Sequence, residues 1–343
     1  MSAAEFRPDF ERVCGLAVGP IGIAVSGGSD SIAMLCKAAE WAQTAHRDVI
    51  ALTVDHGLRA EAADEARWVA GQAQRLGITH QTLTWDKPIG RQAAARRARH
   101  VLLAQAILAA GGECILLGHT FDDQIETVLM RQRQQSTWYG LAGMQRCATS
   151  PVWPEGQGVF VGRPLLAARR EELRTWLKTR NQAWIDDPSN EKEEYERVRV
   201  RSELSKDAAL FAEISAIQAK ASQERVVEDR ALGHFIQNHV VIENSGRITV
   251  QLDELTDERK MRVLSILLQI VSGKELPPRL NKLNSLVEAL GAGPTFAGAT
   301  LHGVIVKQIK GTTLLQPERH PLQYGSILGR LLMMTKQLTG SLC

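Results

Sequence analysis

The sequence predicts an α/β protein, with a doubly wound parallel sheet followed by a smaller C-terminal α+β domain. Three observations lead there. Short apolar runs alternate with helical periodicity between residues 21 and 180, the pattern of successive βαβ units. Small, polar and charged clusters stand directly after apolar runs at residues 26–31, 55–59 and 119–123. In open α/β sheets, ligands sit beyond the carboxyl ends of the strands. No glycine or proline occurs between residues 189 and 232, which reads as one long helix, or two, joining the domains.

Ile21-Gly22-Ile23-Ala24-Val25 is short and apolar and reads as a buried strand. It runs into Ser26-Gly27-Gly28-Ser29-Asp30-Ser31, and residues 32–37 open a helix. A strand that turns on glycines into a helix N-terminus can cradle phosphate, because the backbone comes close and its N–H groups point at the anion. The helix dipole adds roughly 0.3–1 kcal/mol per charge it meets. Serine caps and Gly-Gly turns also occur without any ligand. Asp30 would repel phosphate, so it calls for a metal ion or a cationic substrate beside it.

Residues 48–55 form a second apolar strand, 61–76 a helix and 79–85 a third strand that alternates weakly. An Ala-rich helix covers 92–110 and ends at Gly111-Gly112, and a fourth strand covers 113–119. Residues 122–133 are helical, 158–162 a fifth strand and 169–180 a helix. Beyond 232, residues 247–252 alternate like a strand, 259–270 and 281–290 read as helices, and 304–309 with 312–315 flank Lys310-Gly311 as a hairpin. The domains divide as 1–204, the nucleotide-binding catalytic part, and 205–343, a helical linker with the smaller α+β domain.

Asp123 and Glu126 are three apart and share one helix face. They read either as a capping box or, beside the phosphate loop, as ligands for Mg²⁺ or a substrate ammonium. Between Lys87 and Gly112 there are five basic residues, Lys87, Arg91, Arg96, Arg97 and Arg99, and no acid. Arg96 and Arg99 share a face, which is either a solvated basic surface or a phosphate contact. Residues 184–190 form a turn rich in Asp and Asn. Arg197, Arg199 and Arg201 follow it at every second position and suggest an anionic partner.

Composition narrows the class without naming a function. The 343 residues suffice for two or three domains at about 150 residues each. With 44% apolar and 23% charged residues the chain has an ordinary globular balance. Its formal net charge is only +3, so nucleic-acid binding would rest on local patches. No signal peptide is visible, and no apolar run reaches the roughly 18 residues of a membrane span. A cytoplasmic protein without a membrane partner is expected. The five cysteines, Cys14, Cys36, Cys114, Cys147 and Cys343, form no CxxC pair, so reduced, mostly buried thiols are expected.

The string at 26–31 is neither a Walker A loop nor GxGxxG. It resembles the PP-loop of ATP pyrophosphatases, Rossmann-like proteins that cleave ATP between its α- and β-phosphates and adenylate a substrate. VDHGLR at 54–59, ARRAR at 95–99, GHTFDDQIET at 118–127, YGLAGM at 139–144 and RPLL at 163–166 follow in order, then WIDDPSN at 184–190 and RVRVR at 197–201. Over residues 21–201 the chain resembles the tRNA(Ile)-lysidine synthetase family. PPR at 277–279 and TLHGVIV at 300–306 extend the similarity more weakly.

The resemblance implies a ligase that uses ATP and Mg²⁺. It adenylates the C2 oxygen of the wobble cytidine of a CAU-anticodon tRNA(Ile), and free L-lysine then displaces AMP to form lysidine. Ser26, Gly27, Gly28, Ser29, Asp30 and Ser31 would hold the ATP phosphates, and Asp55 would lie near the adenosine. Asp30, Asp123 and Glu126 would serve Mg²⁺ and the lysine amine, with Asp30 and Asp123 as the metal ligands. Arg96 or Arg99, and Arg197 or Arg201, would neutralise phosphate or the developing anion, and Arg197, Arg199 and Arg201 would meet tRNA. A homodimer is compatible with the resemblance. Three departures stand out: His100 where the family has Tyr, Gln134-Gln135-Ser136-Thr137 in place of Arg-Gly-x-Gly, and Val198 in place of Asn. The rival reading is a PP-loop tRNA thiolase, which would need a cysteine pair or an iron–sulfur cluster. The scattered cysteines argue against it. Two other rivals are a small-molecule amidating synthetase and a non-catalytic nucleotide-binding module. The basic helix disfavours the first, and the acids and arginines beside the loop disfavour the second.

Overall fold

A computed structural model describes residues 9–55, 57, 62–85, 92–186, 196–292, 296–319 and 324–342. Of the residues singled out in the sequence, His56, Leu58, Arg59, Lys87, Arg91, Asp187, Pro188, Ser189, Asn190 and Cys343 lie outside the described residues. The chain divides into two compact units. The first holds residues up to Ser150 and Val159–Val226, and the second holds Pro151–Gly158 and Val227–Leu342.

The first unit opens with α1 (Phe10–Cys14), β1 (Ile21–Ala24), α2 (Ser29–Ala45), β2 (Val49–Asp55), α3 (Ala62–Arg75), β3 (Thr79–Thr84), α4 (Gln92–Ala109) and β4 (Cys114–Leu116). It continues with α5 (Phe121–Arg133), α6 (Trp138–Leu141), β5 (Cys147–Thr149), β6 (Phe160–Gly162), α7 (Arg170–Thr179), α8 (Glu196–Lys206) and the start of α9 (Ala208–His239). The sheet order is β3-β2-β1-β4-β6-β5. Every pairing is parallel except β5 with β6. The chain steps outward from β1 to β3 and then returns to β4. The switch in strand order therefore falls between β1 and β4, where such sheets place their ligands.

The helix α4 covers the sheet because Leu103, Ala104 and Ile107 bury against Leu52, Ile115 and Val161. Each fully buried Leu or Ile contributes about 1.5–3 kcal/mol. A second cluster joins Ile125, Val128 and Leu129 of α5 to Val200 and Leu204 of α8 and Ile214 of α9. That packing fixes α8 alongside α5.

From residue 196 on, the stretch free of glycine and proline forms two helices, α8 and α9. They part at Asp207, whose carboxylate accepts the Leu210 N–H at 2.9 Å and starts α9. The short edge strand β5 was not expected. Three residues of Cys-Ala-Thr carry too little periodicity to announce a strand.

The second unit contains β7 (Val240–Ile242), β8 (Ile248–Gln251), α10 (Asp257–Ser272), α11 (Leu280–Gly291), β9 (Ala299–Leu301), β10 (Val304–Ile309), β11 (Thr312–Pro317) and α12 (Tyr324–Thr339). Its sheet, β7-β8-β11-β10-β9, is wholly antiparallel. Leu264, Leu267, Leu268, Leu283, Val250 and Val304 are among its core residues. Residues 151–158, which connect β5 to β6, belong to this second unit. The Trp153 N–H donates to Glu275 Oε1 at 3.1 Å, and its ring lies 4.7 Å under the Arg330 guanidinium.

Candidate active site

Between β1 and α2 the backbone makes the turn that the glycines foreshadow. Gly27 has φ +90°, so its torsion favours glycine, and a Cβ there would stand 2.7 Å from Ile185 Cδ1, which would have to shift. Ser31 Oγ donates to Gly28 O at 2.9 Å and accepts from the Ser26 N–H at 3.2 Å. Ser26 and Ser31 thus set the loop's shape. No side chain caps α2 at Gly28, which leaves its first N–H groups open to an anion. The Ile185 N–H donates to Gly27 O at 2.9 Å and brings the Trp184-Ile185-Asp186 turn against the loop.

Beside the loop, three carboxylates meet three guanidiniums. Arg170, the first residue of α7, donates to Asp30 Oδ2 at 3.1 Å, Asp123 Oδ1 at 2.9 Å and Glu126 Oε1 at 3.2 Å. Arg197 donates to Asp123 Oδ1 and Glu126 Oε2, both at 2.8 Å. Arg201 donates to Glu126 Oε1 at 2.8 Å and Oε2 at 3.3 Å. The Glu126 side chain is 2% exposed, and that of Arg170 is 15% exposed.

Burial would raise the Glu126 pKa. The bond from Arg201 and the charges of Arg201, Arg170 and Arg197 outweigh it, so the pKa is lowered. Asp30 goes the other way. Burial raises its pKa, and the Arg170 charge offsets that only in part. Burial would also lower the Arg170 pKa, but Asp123, Asp30 and Glu126 raise it further.

Asp123 also shapes α5. Its Oδ2 accepts from the Thr120 N–H at 2.8 Å, and its own N–H reaches Thr120 Oγ1. The capping box is therefore Thr120 with Asp123. The sequence alternative of Asp123 with Glu126 is not the one formed. Asp122 accepts the Arg170 N–H at 2.8 Å and docks the start of α7. Since α8 is a helix, its alternate arginines divide: Arg197 and Arg201 face α5, while Arg199 turns outward and is exposed. Asp55 ends β2 and accepts the Gly57 N–H at 2.8 Å, apart from the acid cluster.

Mg²⁺ does not fit Asp30 and Asp123 as they stand. Ser29 and Arg170 occupy the oxygens of Asp30, and Thr120, Arg170 and Arg197 those of Asp123. Among the described residues no group of three or more His, Cys, Asp or Glu is placed to hold a metal ion.

Arg96 and Arg99 of α4 sit in a different setting. Among the described residues neither has a carboxylate partner, and Arg99 Nε is buried without an acceptor. His119 Nδ1 is likewise buried and unpaired. Burial, then Arg163, Arg197, Arg99 and Arg96, hold the His119 pKa well below the usual range.

A segment at 140–145, held by several side-chain hydrogen bonds, lies beside Arg163, which donates to Gln145 O at 2.7 Å. Gln124 clasps Met144 from both sides, donating to its carbonyl at 2.9 Å and accepting its N–H at 2.6 Å. Arg131 donates to Gly140 O and Arg225 to Gly143 O, each at 2.7 Å.

Arg170, Arg163 and Gln124 escaped sequence reading as site residues. Arg170 lies in Arg169-Arg170-Glu171-Glu172, which looks like the start of a surface helix. No spacing ties it to residues 44 to 140 positions away. Arg163 stood out only as part of RPLL.

Residues 12–208 match the family described as a PP-loop domain. A tRNA(Ile)-lysidine synthase of Hyphomonas neptunium is 43% identical over 307 residues, covering 90% of this chain and 84% of the relative. The chain belongs to the tRNA(Ile)-lysidine synthase family. These are ligase-type enzymes built on the PP-loop domain.

The family member of a Bradyrhizobium species is 34% identical, covering 85% of this chain and 86% of its own. That of Caulobacter vibrioides is 37% identical over 84% of this chain but only 64% of its own length. The chain thus spans about two thirds of several longer members of the family. Among solved structures, the U34-tRNA thiolase NcsA from Methanococcus maripaludis, with its [4Fe-4S] cluster, aligns at TM-score 0.49 and 15% identity, covering 60% of this chain and 71% of its own.

Proposed function

We propose that the chain ligates free L-lysine to C2 of the wobble cytidine of a CAU-anticodon tRNA(Ile). The cytidine O2 attacks the ATP α-phosphorus and pyrophosphate leaves. The lysine ε-amine then attacks C2, and the C2–O bond breaks to release AMP. The substrates are those of the cytoplasm. Among the described residues no helix is long and apolar enough to cross a membrane.

The observation that carries this reading is the carboxylate cluster of Asp30, Asp123 and Glu126 beside an uncapped phosphate loop. The α2 N-terminus and residues 26–31 would bind the triphosphate, and Asp55, one strand away on β2, would face the adenosine side. Mg²⁺ would enter on the ATP phosphates, since protein carboxylates do not supply a free cage. The acids would take the lysine ammonium in exchange for a guanidinium. Arg197 and Arg201, with side chains 37% and 36% exposed, are the easier to displace. Once the lysine ammonium has displaced an arginine, Glu126 loses part of what lowers its pKa and would accept the amine proton before attack. Basic faces of α4 and α8 and the second unit would contact the RNA.

The cysteines support lysine over sulfur as the nucleophile. Cys14, Cys36 and Cys114 are free and buried. Burial pushes the Cys14 thiol up to about 12 and Cys36 up to about 11, so they stay protonated and unreactive. Cys147 is disulfide-bonded, which departs from the expectation of thiols throughout.

The deciding assay is incubation with ATP, Mg²⁺, labelled lysine and a CAU-anticodon tRNA(Ile) transcript. Transfer of label to the RNA, dependent on ATP, is expected. Binding of ATP and RNA without transfer would sink the reading.

A further inference from the structure

Four arginines surround His119, and they fall into two kinds. Arg197 is matched by carboxylates, as are Arg170 and Arg201 nearby. Arg96, Arg99 and Arg163 have no carboxylate partner among the described residues. Arg163 follows β6 and donates its Nη1 to Gln145 O at 2.7 Å, while its Nε is buried without an acceptor. Burial, then Arg96 and Arg225, push its pKa down to about 10. Burial with Arg99, Arg96 and Arg163 pushes the adjacent His100 down to about 3. Arg96 is exposed to solvent, but the Nε groups of Arg99 and Arg163 are held out of water with no acceptor, which costs folding free energy. Three elements, α4, the end of β4 and the end of β6, thus bring unsatisfied polar atoms and excess positive charge to one place. An anion would satisfy both.

The sheet order suggests which anion. Reading across it, β2 carries Asp55, β1 carries the phosphate loop, β4 leads to His119, and β6 leads to Arg163. Arg163 is two strands from β1, about 10 Å at the usual strand spacing. It lies on the side away from Asp55. If ATP extends from β1 toward β2, the β4–β6 side is left for the second substrate. A phosphodiester also suits a cluster of several guanidiniums better than the single carboxylate of lysine does.

We propose that Arg163 is an RNA-binding residue: together with Arg99, it donates to a phosphodiester flanking the reacting nucleotide. This rests on the proposed function only in taking RNA as the second substrate. It assigns to Arg163 the anion contact that the sequence places on Arg197 and Arg201, whose guanidiniums are spent on carboxylates.

The test measures binding of the CAU-anticodon tRNA to wild type and Arg163→Gln at several salt concentrations. The variant should bind RNA roughly 10- to 100-fold more weakly, and the slope of log affinity on log salt should fall by about 0.7. Its affinities for ATP and lysine should stay within about twofold. Unchanged RNA affinity and slope in a folded Arg163→Gln would overturn the proposal. So would a loss that falls on ATP or on lysine instead.

A second arm leaves the protein untouched. Uncharged methylphosphonate linkages placed one at a time beside the wobble nucleotide should weaken wild-type binding at one position. At that position they should add little to Arg163→Gln. If the variant does not fold, wild-type binding insensitive to every such linkage overturns the proposal on its own. A wild type that binds RNA in this charge-sensitive way but transfers no lysine would sink the proposed function and leave the Arg163 contact standing.

Discussion

Arg170 Nε donates to Asp30 Oδ2 across 3.1 Å, joining residues 140 positions apart in the chain. The same guanidinium also bonds Asp123 and Glu126. One planar fork therefore holds the carboxylate of the phosphate loop against the two carboxylates of α5. Breaking a buried pair by removing one partner costs about 3–5 kcal/mol. Arg170→Met should unfold at a clearly lower temperature and lose lysine transfer. Arg170→Lys keeps the charge but not the fork. It should fold and transfer lysine at least about tenfold more slowly. Thermal melts paired with the labelled-lysine assay check this, and a fully active Arg170→Met would contradict it.

Glu126→Gln separates the two substrates. Its oxygens meet Arg201, Arg197 and Arg170 but none of the phosphate loop. The lysine KM should rise about tenfold or more while ATP affinity changes by no more than about threefold. The neutral amide leaves three guanidiniums for two carboxylates, so some stability is lost as well. An equal loss of ATP affinity would place Glu126 at the nucleotide.

Stability should fall on mild acidification. His100 is 5% exposed, and its pKa is pushed down to about 3 by burial and neighbouring arginines. The unfolded chain takes up a proton near pH 6.5 that the folded one refuses. The contribution is therefore complete above about pH 6.5 and is lost as pH falls toward the folded value. At pH 5 the loss is about 2 kcal/mol. His119, shifted in the same direction, adds to it. Glu126, with its lowered pKa, keeps its stabilising contribution over this range and loses it only as pH falls below the ordinary carboxylate range. Urea unfolding at pH 7 and pH 5 measures the difference. His100→Tyr should flatten part of it, and an unchanged pH dependence in that variant would exclude His100 as a source.

Gly143→Ala should be disruptive. The position has φ +72°, and an added Cβ would stand 2.7 Å from Gln124 Oε1. A cost of about 1–3 kcal/mol follows from strain and the lost clasp. Gln124→Ala should reproduce most of it, and the double variant should cost little more than either alone. Additive losses would show that the two do not act together.

Cys14, Cys36 and Cys114 should resist thiol reagents in the folded protein, and their replacement by Ala or Ser should leave lysine transfer measurable apart from packing losses. Rapid labelling of one of them with loss of activity would revive a sulfur-based reaction.

The central strands β1, β2 and β4 were legible because they are apolar and are followed within a few residues by Gly, Asp or His, whereas the polar edge strand β3 alternates only weakly and β5 gave no signal. The phosphate loop was legible for the same reason. The partners of the acids were not. Nothing local links Arg170 to Asp30, and the alternation of Arg197, Arg199 and Arg201 takes meaning only once α8 is known to be a helix docked on α5. Likewise Arg163 looks like any arginine before proline. Its lack of a counter-ion is a property of the assembled site. α12 passed unread although Ile327, Leu331, Met334 and Leu338 carry helical spacing and pack in the core of the second unit.

The loop between β5 and β6 means that the chain leaves the first unit twice, once at residues 151–158 and again after Val226. The two units are therefore not beads that a single cut can separate. A protein ending at residue 226 would keep Val152, now 2% exposed, and Trp153 while losing Glu275 and Arg330, the groups that hold that loop. It would present a new apolar tip on an otherwise complete nucleotide-binding sheet. Anyone isolating the first unit should shorten this hairpin as well as the C-terminus, and a circular permutation or gene fusion should respect both crossings.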